Sequence, residues 1–118
     1  MKEQKIAVIG TGVWGRNIVR NFYNLNVLDV VCDLDESNLA KVREQYPGVK
    51  TTKDFNEIIN NPEITAVAVV TPSHTHFKVV KAMLEAGKNV YVEKPISTVA
   101  QEAKDLTELA HKKGLVLM

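Results

Sequence analysis

The chain has 118 residues, 45% of them apolar and 25% charged, the balance of an ordinary soluble globular protein with room for one core. Fifteen basic and fourteen acidic residues leave a net charge of +1, so no basic face points to nucleic acid or an anionic membrane as partner. The lone cysteine cannot form an internal disulfide, no apolar run approaches the roughly 18–20 residues of a membrane span, and no secretory h-region precedes the first strand, so a cytoplasmic location is expected.

Apolar runs and helical periodicity alternate along the chain. Residues 5–9 read as a first strand, followed by a glycine-rich turn and a helix whose buried stripe carries Ile18, Val19 and Phe22. Residues 27–32 form a second strand closed by Asp33, with Cys32 inside the apolar run as a packing residue. Asp35 is placed to N-cap a helix carrying Leu39, Val42 and Tyr46, which Pro47-Gly48 ends. A short edge strand at 49–51 precedes Asp54-x-x-Glu57, read as a capping box that opens a short helix with Phe55, Ile58 and Ile59 inward. Residues 66–70 are wholly apolar and valine-rich, as a strand covered on both faces requires. Pro72-Ser73 breaks that strand, and a helix follows with Val79, Val80, Met83 and Leu84 on one face and Gly87 at its C′ position. Residues 89–92 are a fifth strand. Thr98-x-x-Gln101 reads as a second capping box, before a helix bearing Ala103, Leu106 and Ala110 and stopping at Gly114; residues 115–118 begin a sixth strand. Strand–helix alternation with short connections predicts a single-domain α/β Rossmann fold over 1–118, a doubly wound parallel sheet in the order 3-2-1-4-5-6 with right-handed crossovers.

In such sheets ligands bind beyond the carboxyl ends of the strands. Four segments fall there: 10–15, Asp33, 71–76 and 93–95. Gly10-Thr11-Gly12-Val13-Trp14-Gly15 is a G-x-G-x-x-G set between a strand and a helix, the context that makes it a dinucleotide fingerprint. Gly10 serves the tight turn, Gly12 lets the backbone approach a pyrophosphate, and Gly15 lets the helix pack closely; Val13 and Trp14 present N–H groups at the positive end of the helix dipole. The Trp14 ring either lies against the cofactor or covers the sheet edge. Asp33 stands eighteen residues beyond Gly15, near the spacing of a carboxylate that accepts the adenosine ribose hydroxyls. That carboxylate repels a 2′-phosphate and Leu34 beside it offers no cation, so NAD is favoured over NADP. Backbone groups of Thr71 and Pro72 pass close to the cofactor, Ser73 or Thr75 caps the following helix, and His76 orients the loop through a hydrogen bond. His74 and His76, two apart with no third ligand, make a poor zinc site, and no metal is expected. His111 is read as a surface residue or as compensation of a helix dipole. Glu93-Lys94-Pro95 is either a surface ion pair at the end of a strand or part of the ligand crevice, and its position favours the second.

Gly10-x-Gly12-x-Trp14-Gly15, Cys32-Asp33-Leu34-Asp35, Thr71-Pro72-Ser73-x-x-His76 and the run from Ala86 to Pro95 together resemble the glucose–fructose oxidoreductase/inositol dehydrogenase (Gfo/Idh/MocA) family of NAD(P)-dependent oxidoreductases, over essentially the whole chain. The resemblance implies hydride transfer between nicotinamide and a sugar, polyol or nucleotide-sugar hydroxyl. It further implies that Lys94 is the catalytic residue that lowers the hydroxyl pKa, with Glu93 and Pro95 shaping the nicotinamide ribose pocket. Family members continue into an α/β substrate domain that supplies a histidine acid/base and the oligomer interface. Without that domain the chain is expected to bind NAD, to engage no sugar-like substrate alone and to be catalytically incomplete. An open sheet edge favours a homo-oligomer. The competing readings are a stand-alone NAD-sensing regulatory module and a structural remnant that binds nothing.

Overall fold

The alternation of valine-rich runs with amphipathic segments is realised as a parallel sheet between two helical layers. A computed structural model describes residues 5–93 and 97–118, with the backbone alone for residues 13 and 14. The strands are β1 (Ile6–Ile9), β2 (Leu28–Cys32), β3 (Lys50–Thr52), β4 (Ala66–Val69) and β5 (Asn89–Val92). The helices are α1 (Val13–Asn24), α2 (Glu36–Gln45), α3 (Asn56–Ile59), α4 (His76–Glu85) and α5 (Ala100–Lys112). The sheet order is β3-β2-β1-β4-β5, all pairs parallel, as the alternation predicted. At the sixth position, residues 116–118 run parallel to β5 through Val90 N–H to Val116 O (2.9 Å), Met118 N–H to Val90 O (3.0 Å) and Val92 N–H to Met118 O (2.8 Å).

Strand side chains alternate between faces, and the two faces have different partners. Ala7, Ile9, Val30, Cys32, Val67, Val69, Val90 and Val92 pack with the apolar stripes of α4 and α5 and with Ile58 of α3. Val8, Val31 and Ala68 point the other way, onto Val19 of α1 and Leu39 and Val42 of α2. Such two-sided burial explains why the central strands are apolar throughout. Cys32 is buried, and desolvation, then the charge of Asp33, pushes its thiol up to about 11, so the group packs rather than reacts.

Helix ends follow the local chemistry. Asp35 caps α2, its carboxylate accepting the Ser37 N–H at 2.9 Å. Gly87 adopts φ +83°, and the pair of bonds from Gly87 N–H to Leu84 O and from Lys88 N–H to Met83 O closes α4 as a Schellman motif. Two expected capping boxes take other forms. The Asp54 carboxylate accepts the Asn56 N–H at 2.9 Å and no side chain caps α3, which begins at Asn56. Helix α5 begins one residue later than Thr98 as N-cap requires. Glu102 therefore occupies the N3 position and pairs with Ser97 Oγ at 2.7 Å, while Gln101 turns to Asp105 instead.

Candidate functional site

Parallel strands bring the ends of β1, β2, β4 and β5 to one edge of the sheet, and backbone hydrogen bonds tie the segments that leave it. Gly10 N–H donates to Cys32 O and Val70 N–H to Ile9 O, each at 2.8 Å; Glu93 N–H donates to Val69 O at 3.1 Å. Gly10, Asp33, Thr71 and Glu93 therefore start from neighbouring points on one rim.

The glycine turn shows three distinct demands. Gly10 has φ +98°, and a Cβ there would lie 2.7 Å from the Val70 carbonyl oxygen. A Cβ on Gly15 would collide with the carbonyl oxygen of Gly10, so this glycine lets α1 start directly against the turn. A Cβ on Gly12 would meet nothing within 4 Å. The space in front of Gly12 is open, and Gly12 is itself the N-cap of α1, with no side-chain cap and no acidic residue in the first turn. A twelve-residue helix thus ends in unpaired N–H groups and its positive dipole end, facing room for an anion.

Asp33 stands next to this turn, held by four donors. Its Oδ2 accepts from Thr11 N–H (2.9 Å), Thr11 Oγ1 (2.7 Å) and Asn38 Nδ2 (3.2 Å), and its Oδ1 accepts from Asp35 N–H at 2.8 Å. Partial burial alone would raise the Asp33 pKa. The bonds from Asp35, Thr11 and Asn38 outweigh it and hold the carboxyl below the usual range, so the group is an anion at neutral pH. Leu34 beside it is 86% exposed. A shallow groove opens between α1 and α2, with Thr11, Arg16, Asn38, Lys41, Gln45 and Tyr46 on its walls. Thr11 and Asn38 link that groove to Asp33, and Arg16 and Lys41 bring two cations to it.

The loop after β4 is a short 3₁₀ turn, Ser73–Thr75, that leads into α4. His76 is buried, its Nε2 2.8 Å from Thr71 O, the loop-orienting contact anticipated for it. Thr75 occupies the N-cap position of α4, as one of the two expected residues, but its side chain makes no capping hydrogen bond. Thr75 Oγ1 instead lies 2.7 Å from both Thr71 Oγ1 and the Pro72 carbonyl, because the 3₁₀ turn folds that side chain back onto the loop. Pro72 and His74 are exposed, Thr71, Ser73 and Glu93 half-buried. His111 is exposed in the last turn of α5. Lys94 and Pro95, and the side chains of Val13 and Trp14, lie outside the described residues. Among the described residues no group of three or more His, Cys, Asp or Glu is arranged to hold a metal, and no helix is long and apolar enough to cross a membrane. Thr11 and Asn38 escaped the motif reading, although a half-buried carboxylate must find donors, and a residue five positions on, in the first turn of α2, is one of the few that reach back to it.

The family model for GFO/IDH/MocA oxidoreductases, NAD-binding Rossmann fold, matches residues 4–118. The chain belongs to this family. It is 32% identical to scyllo-inositol 2-dehydrogenase (NADP(+)) IolW of Bacillus subtilis, across 97% of the chain and 33% of that protein. Among solved structures, GenD2 from gentamicin A biosynthesis, in complex with NAD, superposes with TM-score 0.91 at 28% identity over 99% of this chain and 34% of GenD2. Biliverdin reductase from Synechocystis sp. PCC 6803, in complex with biliverdin and NADP+, superposes with TM-score 0.89 at 30% identity over 96% of this chain and 36% of the reductase. The chain therefore spans about a third of the length of these relatives. It is an NAD(P)-binding Rossmann fold of the GFO/IDH/MocA oxidoreductases, and its neighbours include both NAD and NADP complexes.

Proposed function

We propose that residues 1–118 are the cofactor-binding domain of an oxidoreductase that moves hydride between NAD and a carbon bearing a hydroxyl group on a sugar, polyol or nucleotide-linked sugar. The observation that carries the cofactor assignment is the Asp33 carboxylate, fixed as an anion beside the open end of α1. Such a group accepts a hydrogen bond from an adenosine ribose hydroxyl and repels a 2′-phosphate. The open space at Gly12 and the unpaired N–H groups of α1 suit a pyrophosphate. The backbone at Thr71 and Pro72 and the exposed face of Leu34 flank the adenosine half, and Ser73 and His76 hold the loop in place.

The bound nicotinamide supplies the hydride chemistry. The residue assigned to the substrate side is Lys94, on its family resemblance: an ammonium beside the reacting hydroxyl lowers its pKa and eases loss of its proton, while Glu93 and Pro95 border the nicotinamide ribose. Since the chain spans a third of its relatives, we assign substrate selection and the second proton-transfer group to residues outside these 118. Calorimetric titration with NADH and NADPH tests the cofactor reading, with tighter binding of NADH expected and equal affinities overturning it. Incubation with NAD and inositols or sugars tests the division of labour, with no NADH expected from the 118 residues alone. Measurable turnover would place the whole reaction within this chain.

A further inference from the structure

The distribution of donors around Asp33 is lopsided, and the imbalance has a use. A carboxylate offers about four acceptor positions, roughly two on each oxygen. Three donors crowd Oδ2, from Thr11 N–H, Thr11 Oγ1 and Asn38 Nδ2, whereas among the described residues Oδ1 receives the Asp35 N–H alone. Oδ2 is committed to the protein, and Oδ1 keeps a free acceptor position. Thr11 is buried at 2% exposure, anchored in the glycine turn, and Asn38 projects from α2, so the carboxylate is gripped from both elements that border it. A free carboxylate end would rotate about its terminal bond, a soft two-fold torsion, and present either oxygen in any orientation. Gripped from both sides, it presents one.

The geometry points to Thr11 and Asn38 as positioning residues for cofactor selection: the Thr11 hydroxyl and the Asn38 amide fix Oδ2 so that Oδ1 alone faces the ligand, and the preference for an unphosphorylated ribose depends on that fixed orientation. This inference rests on Asp33 as the ribose acceptor. The two residues touch the acceptor rather than the cofactor. They act by removing the orientational freedom that Asp33 would otherwise lose on binding, which is preorganisation of the site.

The test compares four proteins: the parent, Thr11→Val, Thr11→Ser and Asn38→Ala. Valine keeps the shape of threonine and the Thr11 N–H bond while deleting the hydroxyl; serine restores the hydroxyl. Asn38→Ala alters a partly exposed helix position, so it remains informative if the buried Thr11→Val variant fails to fold. Dissociation constants for NADH and NADPH are measured by calorimetry between pH 3 and 8, with urea midpoints as a control for folding. Thr11→Val and Asn38→Ala are each expected to weaken NADH binding by about fivefold to tenfold, the scale of one ordinary hydrogen bond, with NADPH affinity changed by less than about twofold. The NADH/NADPH ratio therefore falls. The acid limb of NADH binding moves to higher pH in both variants, because fewer donors favour the ionised carboxylate, and Thr11→Ser restores both readouts. A merely structural role would lower the urea midpoint and leave the ratio and the acid limb in place; that outcome overturns the inference while the ribose assignment stands. A parent with equal affinities for the two cofactors removes the ribose assignment itself, and this inference with it.

Discussion

At Asp33 one carboxylate meets two demands under the proposed function, staying charged while half-buried and keeping an acceptor position on Oδ1 for a ribose. Its hydrogen bonds meet the first and their uneven distribution the second. Replacing it by serine keeps a hydroxyl for a ribose but deletes the charge, and Arg16 and Lys41 already stand in the adjoining groove. Asp33→Ser is therefore expected to weaken NADH binding about tenfold and to strengthen NADPH binding, closing most of the gap in a paired titration. The depressed pKa also sets a sign for stability. A carboxyl whose folded pKa lies below its unfolded value of about 3.9 contributes stability that is present above that value and lost as pH falls through the folded pKa. Urea midpoints measured from pH 6 down to pH 3 should fall at the acid end, and less steeply in Asp33→Asn than in the parent. Lys88 is a buried charge at the opposite edge of the sheet. Burial lowers its pKa, and its Nζ donates to Asn61 O at 2.6 Å and Ile64 O at 2.9 Å. Lys88→Met leaves both carbonyls without that donor, a cost of about 2 kcal/mol in urea unfolding, with NADH affinity unchanged because the cofactor rim is on the far edge.

The strand–turn–helix unit built on β1 and α1 separates glycines that hold the fold from the one that leaves space. Gly15→Ala pushes a methyl into the Gly10 carbonyl, backbone against backbone with no side chain to give way. It is expected to cost more than about 2 kcal/mol in chemical denaturation. Gly12→Val meets open space and costs about 1 kcal/mol or less as a poorer N-cap, yet fills the approach to the N–H groups of α1; NADH affinity should drop at least tenfold in a protein that still melts cooperatively. This contrast was legible in the spacing of the glycines, because a G-x-G-x-x-G turn imposes the same three demands wherever it joins a strand to a helix. Strands and long helices were legible for a similar reason: their periodicity sums over many residues. The ends of α3 and α5 were not. A capping box depends on register to a single residue, and where α5 starts one position later, Ser97 and Glu102 take over from Thr98 and Gln101. Thr11 and Asn38 were invisible to motif reading, since their contact with Asp33 spans 22 and 5 residues and exists only once β1, β2 and α2 are assembled.

At the scale of the whole molecule, the sheet order is what turns scattered motifs into a rim. With β1 between β2 and β4, the glycine turn stands between Asp33 on one side and Thr71 on the other. A dinucleotide lying along that rim touches elements from both helical layers: α1 and the β2–α2 junction on one face, the loop into α4 on the other. Binding should therefore stabilise the fold as a unit rather than order one loop. At a NADH concentration one hundredfold above its Kd, a ligand that binds only the folded state adds about 2.7 kcal/mol. For a chain of 118 residues this corresponds to a rise in Tm of roughly 10 °C. The same scan with inositol or glucose alone should leave Tm unmoved, since the residues assigned to substrate selection lie elsewhere. Differential scanning fluorimetry over a cofactor series distinguishes the cases. A single cooperative transition that climbs with the logarithm of NADH concentration is expected. An unchanged Tm at millimolar NADH would mean that the rim, though assembled, does not hold the dinucleotide.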